Sequence, residues 1–283
     1  MDARGQVQAL RATAYTRDLA LLKQIGPDYK LVEMRCVRTR GVELDDPPAK
    51  GSVNKDKLAN NVVRARSKVR EYGLCNPWEY FLTLTINGAF LDRYDLAQLR
   101  RVLSQWVRDY RKRYGCDVKY LLIPEQHEDG AWHLNGFLMG LPESHLVPFT
   151  LQERLPVYIR TKLKQGQPIY NWPAYAARFG YVTVEPIRDQ ARAVSYITKY
   201  ITKDLSRSVS RLGAHLYYAS QGLQKAQELK RGTLVADMQP DFENEYCRLQ
   251  FFDGAQYQRE ELESRILSRR EQEELCFDHT AGI

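Results

Sequence analysis

The stretch VKYLLIPEQHEDGAWHLNGFLM, residues 118–139, decides the fold. Residues 118–123 and 132–139 are runs of strand length, rich in aliphatic and aromatic side chains. Between them lies Asp129-Gly130, a pair that favours the left-handed turn conformations closing a hairpin. Two adjacent antiparallel strands are therefore expected. On the second of them His133 and Asn135 are two residues apart, so the pleat sends both to one face. Glu125 ends the first strand, just across the turn. A carboxylate, an imidazole and a carboxamide could thus converge on one cation, and Mg²⁺ or Mn²⁺ suits that mixed set of oxygen and nitrogen donors. The competing reading is a hydrogen-bonded His133–Asn135 pair at a strand end. His127 and Glu128, in the turn itself, stand as alternates.

Upstream, YFLTLTI at residues 80–86 reads as a buried strand. Residues 95–114 follow as a long helix, with Leu96, Leu99, Leu103, Trp106, Val107 and Tyr110 at helical spacing and Gly115 closing it. Downstream, five prolines punctuate residues 141–179, and Tyr170, Trp172, Tyr175 and Phe179 cluster near its end. That segment is expected to lie over the sheet as an insertion. Residues 181–186 are strand-like and lead into DQARAVSYITKYITKD at 189–204. Here Tyr196 and Tyr200 each precede a lysine by three residues, Lys199 and Lys203. On a helix, residues three and four apart share a face, so two phenols and two ammonium groups project together. A phenol can attack phosphorus, and an ammonium can orient the phosphate and offset its charge. The other reading is an amphipathic helix whose tyrosines pack on a core while the lysines reach water.

The 283-residue chain carries a formal net charge of +7, which favours a polyanionic partner, nucleic acid before membrane. Basic residues crowd 50–119 and 188–231, whereas 237–278 is rich in acids. A helix over 54–72, expected to end at Gly73, carries Arg64, Arg66, Lys68 and Arg70. It serves either as a phosphate-facing surface, with Arg192 as a further contact, or as a solvated basic face. The five cysteines are widely spaced with no CxxC pair, which excludes a thiolate zinc site and points to a reducing compartment. No apolar segment is long enough to span a bilayer and no signal-peptide core is present, so a soluble cytoplasmic protein is expected. Residues 1–25 look helical, with a strand at 30–37 after Gly26-Pro27; 215–220 and 246–252 read as strands, and 257–274 as a charged helical tail.

Three segments in order, YFLTLT at 80–85, PEQHEDGAWHLNGFLMG at 124–140 and YITKYITK at 196–203, resemble the three motifs of rolling-circle replication initiators of the HUH endonuclease superfamily. The doubled tyrosine resembles the arrangement in small single-stranded DNA phages and related plasmid or prophage initiators. HLYYASQGL at 215–223 is also similar to this group, so the resemblance runs from about residue 54 to about 231. It implies an α+β fold, a central antiparallel β-sheet flanked by helices and related to the ferredoxin-like fold. A first extension would cover 1–53, the endonuclease domain 54–232 and an acidic helical extension 233–283. It further implies that Glu125 and His133 match metal ligands, that Asn135 stands where a second histidine is usual, and that Tyr196 and Tyr200 are nucleophiles followed by Lys199 and Lys203.

The implied activity is metal-dependent nicking and strand transfer on single-stranded DNA at an origin hairpin, through a 5′-phosphotyrosine. No GxxxxGK[ST] loop occurs in the chain, so unwinding falls to a separate helicase. A catalytically weak DNA-binding regulator of the same fold, or a transposase or relaxase of the superfamily, is the alternative.

Overall fold

The structure is a computed structural model and describes residues 20–34, 55–202, 205, 215–243 and 247–271. In chain order its elements are β1 (Ala20–Ile25), β2 (Asp28–Met34), α1 (Lys55–Cys75), β3 (Tyr80–Thr85), α2 (Leu96–Tyr114), β4 (Lys119–Gln126), β5 (Trp132–Met139), β6 (Val147–Pro148), α3 (Val157–Lys164), β7 (Tyr170–Asn171), α4 (Pro173–Ala176), β8 (Val182–Pro186), α5 (Gln190–Ile197), β9 (Tyr218–Ala219), β10 (Gln227–Leu234), β11 (Phe242–Glu243), β12 (Cys247–Phe252), α6 (Arg259–Ser264) and β13 (Ile266–Leu267). The class is α+β, with antiparallel sheets flanked by helices. The chain divides into two units, Pro48–Gln224 and a second made of Met1–Pro47 with Lys225–Ile283. No described helix is long and apolar enough to cross a membrane.

In the unit Pro48–Gln224 a seven-stranded sheet has the order β6-β7-β8-β3-β5-β4-β9. The β4–β5 hairpin forms as its sequence predicts, with Gln126 opposite Trp132. Alternation within β3 sorts the two faces: Leu82 and Leu84 are buried, while Phe81, Thr83 and Thr85 on the opposite face stay partly open. The leucines, with Leu122 and Leu138, meet Leu103 and Val107 of α2. Fully burying each such side chain is worth about 1.5–3 kcal/mol, so this face is the main source of stability.

α2 is well terminated. Asp95 accepts from Gln98 N at its start, Arg111, Lys112 and Arg113 sit in the last turn, and Gly115 takes the left-handed cap at φ 62°. Trp106 gathers Trp172, Tyr175 and Phe179 around it, so the aromatics at the end of the insertion are core residues.

α1 and α5 lie on the other side of the sheet. α1 does not stop at Gly73 but continues to Cys75. The glycine is there for contact: a Cβ on it would stand 2.6 Å from Cγ2 of Val194 on α5. Gln190 Nε2 also donates to Gly73 O at 2.6 Å and to Asn76 O at 2.7 Å, tying the start of α5 to the end of α1.

In the unit of the two chain ends the sheet order is β11-β12-β2-β1-β10-β13. Residues 20–25 are thus a strand, not the end of a helix, and pair with both β2 and β10. Their run ALLKQI is buried on both faces, which removes the alternation that distinguishes a strand from a helix. β10 was not foreseen, and the expected helical tail is a short helix, α6, followed by a strand. Ala20, Leu22, Leu31, Phe252, Leu262 and Ile266 form this unit's core.

Candidate functional site

The open face of β3, β4 and β5 holds the residues singled out from the hairpin. Register places Glu125 opposite His133, Asn135 opposite Thr83, and His133 opposite Thr85. Directly paired residues share a face, so all five side chains stand together.

Asn135 is buried, at 3% exposure, and both ends of its amide are engaged. Nδ2 donates to Glu125 Oε2 at 2.6 Å, and Oδ1 accepts from Thr83 Oγ1 at 2.9 Å. A carboxylate only accepts, so the amide must turn its NH₂ toward Glu125 and its oxygen toward Thr83. Asn135 therefore braces Glu125, and its oxygen is not directed at a cation shared with that carboxylate.

His133 Nδ1 lies 3.5 Å from Thr85 Oγ1, and the rings of His127 and His133 pack with centroids 3.8 Å apart. Burial, helped by the neighbouring His127, pushes His133 down to about 4. Its imidazole is neutral near pH 7, the form in which it can ligate a metal.

Among the described residues no three His, Cys, Asp or Glu side chains are gathered as a metal cage. Glu125 and His133 nevertheless open into one cleft, and one carboxylate with one imidazole fits a hard divalent cation that keeps water and phosphate oxygens as its other ligands.

The tyrosines enter the same cleft from α5. Asp189 caps that helix by accepting from Arg192 N at 2.9 Å. The α-helix ends at Ile197 and tightens into a 3₁₀ turn over Thr198–Tyr200, so Tyr200 sits on the turn beyond the helix. The two hydroxyls are 2.8 Å apart, with the rings edge to face at 5.5 Å. Tyr196 also meets Phe81 edge to face at 5.8 Å and is 49% exposed. Tyr200 is half-buried, and burial, then the bond to Tyr196, raises its phenol well above the ordinary range. Lys199 Nζ stands 5.9 Å from the Tyr196 ring centroid. Lys203 lies outside the described residues.

The basic residues fare differently. Arg192 lines the cleft. Arg66 Nε donates to Ile201 O at 2.9 Å, holding the chain just past Tyr200. Lys68 pairs with Glu71 at 3.0 Å and lies over the Tyr72 ring. Arg64 and Arg70 are exposed on α1. Thr83 and Thr85, which orient Asn135 and His133, were missed from sequence; their signal was the Thr-Leu-Thr alternation inside a strand read as wholly buried.

The cleft that joins these groups measures about 1080 Å³. Comparison with curated proteins and with solved structures finds no match to the chain. Residues 79–205 match the model of a family described as replication-associated protein ORF2, a narrower span than the resemblance read from sequence. That span carries β3, the hairpin and both tyrosines, and the match supports a replication initiator protein acting on DNA.

Proposed function

We propose that the protein nicks single-stranded DNA at an origin and transfers the strand through a 5′-phosphotyrosine, starting and ending rolling-circle replication. The observation that carries this is the pair of tyrosine hydroxyls, 2.8 Å apart, opening into the cleft that also contains Glu125 and His133. A divalent cation, Mg²⁺ or Mn²⁺, held by these two with water and a phosphate oxygen, would polarise the scissile phosphate. Asn135 keeps the Glu125 carboxylate aimed, and Thr83 keeps Asn135 aimed.

Tyr200, whose burial holds its proton, donates to the Tyr196 oxygen, which makes the more exposed Tyr196 the first nucleophile. Its oxygen bonds to phosphorus as the bond to the 3′ oxygen breaks. The phenolic proton leaves to water, and the departing oxygen takes one up to become a free 3′ hydroxyl. Lys199 offsets charge at the attacking ring, and Lys203 is assigned the same service for Tyr200. Phosphoester energy is conserved in the covalent bond, so resealing by Tyr200 needs no nucleotide. An origin hairpin and a separate helicase for unwinding complete the set of partners.

Candidate origin oligonucleotides incubated with and without Mn²⁺ and run on a denaturing gel test the proposal. A covalent adduct mapping to Tyr196 or Tyr200 is expected; cleavage without any tyrosine linkage overturns it. A second reading, a DNA-binding regulator with weak catalysis, is favoured by one feature, the commitment of Asn135 to hydrogen bonds where a second imidazole is usual. Hairpin binding with no adduct selects it.

A further inference from the structure

We propose that the insertion supplies a stacking subsite for a base of single-stranded DNA, built on Tyr158 and Tyr181 in the wall of the cleft that holds the tyrosine pair. This rests on the strand-transfer reading. At about 1080 Å³ the cleft exceeds the roughly 300–1,000 Å³ that accommodates a drug-sized molecule, so it has room for more than the scissile phosphate. Part of its lining comes from Pro156, Tyr158, Lys162 and Gln167 of the insertion, and from Tyr181 just after it. Tyr158 is 50% exposed and Tyr181 39%, large aromatic surfaces left in water beside a catalytic cleft.

These rings are held in place. Ile159, next to Tyr158, is fully buried with Phe149 and Ile169 in a small core of the insertion's own, and Phe149 stacks on Tyr181 at 5.8 Å and 28°. The Tyr158 hydroxyl bonds Thr183, and Lys162 pairs with Glu185, both on β8. At the far side of the insertion Trp172 Nε1 donates to the Tyr110 hydroxyl at 3.2 Å. Tyr181 is fixed from the other direction by Gly180, whose φ of 137° takes the chain so close to β3 that a Cβ would lie 2.6 Å from Asn87 N. An aromatic surface ordered before binding loses little entropy when a base arrives.

Charge selects the same occupant. Arg188, Arg192, Lys162 and Lys199 line the cleft with Glu125, Glu185 and Asp189. Of these acids Glu185 is paired with Lys162 and Asp189 is used as the α5 cap, which leaves the arginines and Lys199 to face a phosphodiester backbone. A duplex keeps its base faces stacked on one another, whereas a single strand presents them to tyrosine.

The test is fluorescence anisotropy of a labelled oligothymidine, and of a series with one abasic position moved along it. Tyr158→Ala and Tyr181→Ala should each weaken binding about tenfold, while Tyr158→Phe, which keeps the ring, stays near wild type. One abasic position should weaken wild-type binding yet cost the Tyr158→Ala protein nothing further. Unchanged binding by both alanine variants, equal loss in Tyr158→Phe, or an abasic effect that simply adds overturns the subsite. Adduct formation separates the two readings: a protein that binds through Tyr158 but never links to DNA defeats the nuclease reading alone, and variants that bind and link like wild type defeat the subsite alone.

Discussion

Asn135 Nδ2 donates to Glu125 Oε2 across adjacent strands at 2.6 Å, and that bond makes the asparagine a brace for the carboxylate. Asn135→Ala removes it and leaves Thr83 without its acceptor. The expected outcome is a roughly tenfold weaker Mn²⁺ affinity, the usual scale for losing a group that orients a ligand. Electron paramagnetic resonance of free Mn²⁺ measures this with no DNA present, and an unaltered titration would remove the bracing role.

The hydroxyls of Tyr196 and Tyr200 share one hydrogen bond, so either can be lost while the other still opens to the cleft. Tyr196→Phe and Tyr200→Phe should each leave measurable adduct, and the double change should reduce it by at least about a thousandfold. Full cleavage by the double variant would falsify the assignment of both phenols.

Arg66 holds the carbonyl of Ile201, one residue beyond Tyr200. Arg66→Gln should lower the cleavage rate about tenfold at saturating DNA while changing KM little, because it lets the 3₁₀ turn drift without removing a cleft-lining charge. If Arg66 serves only as a phosphate contact, KM rises and the saturated rate holds; steady-state kinetics on one oligonucleotide distinguishes the two.

Gly73 lets α1 and α5 approach, and a methyl group there meets Val194. Gly73→Ala should destabilise the protein by about 1–3 kcal/mol through overpacking, offset in part by a better helix propensity. Val194→Ala in the same chain should recover most of the loss. Thermal melts of the two single variants and the pair give the coupling, and additive shifts would mean that the helices do not meet there.

The hairpin was legible because Asp129-Gly130 and two apolar runs carry their information locally, and the tyrosines because their spacing repeats. The orientation of Asn135 was not, since it depends on Thr83 from a strand some fifty residues away. β10 escaped for a related reason: QELKRGTL is too polar to look like a strand, and its pairing with β1 and β13 is set by segments remote in sequence. Gly73 read as a helix end because glycine usually breaks helices; contact with Val194 overrides that preference.

The sheet assembled from the two chain ends also fixes an order of events during synthesis. β1 and β2 leave the ribosome early, but β10 and β12, on either side of them, come roughly two hundred residues later. The unit Pro48–Gln224 is continuous in sequence and can close its core while translation is still under way. A nascent chain stalled well after Gln224 has emerged should therefore already protect Trp132 and Phe137 from protease, with β1 and β2 still cleavable. The tyrosine cleft is then built before the first strands of the chain have found their partners.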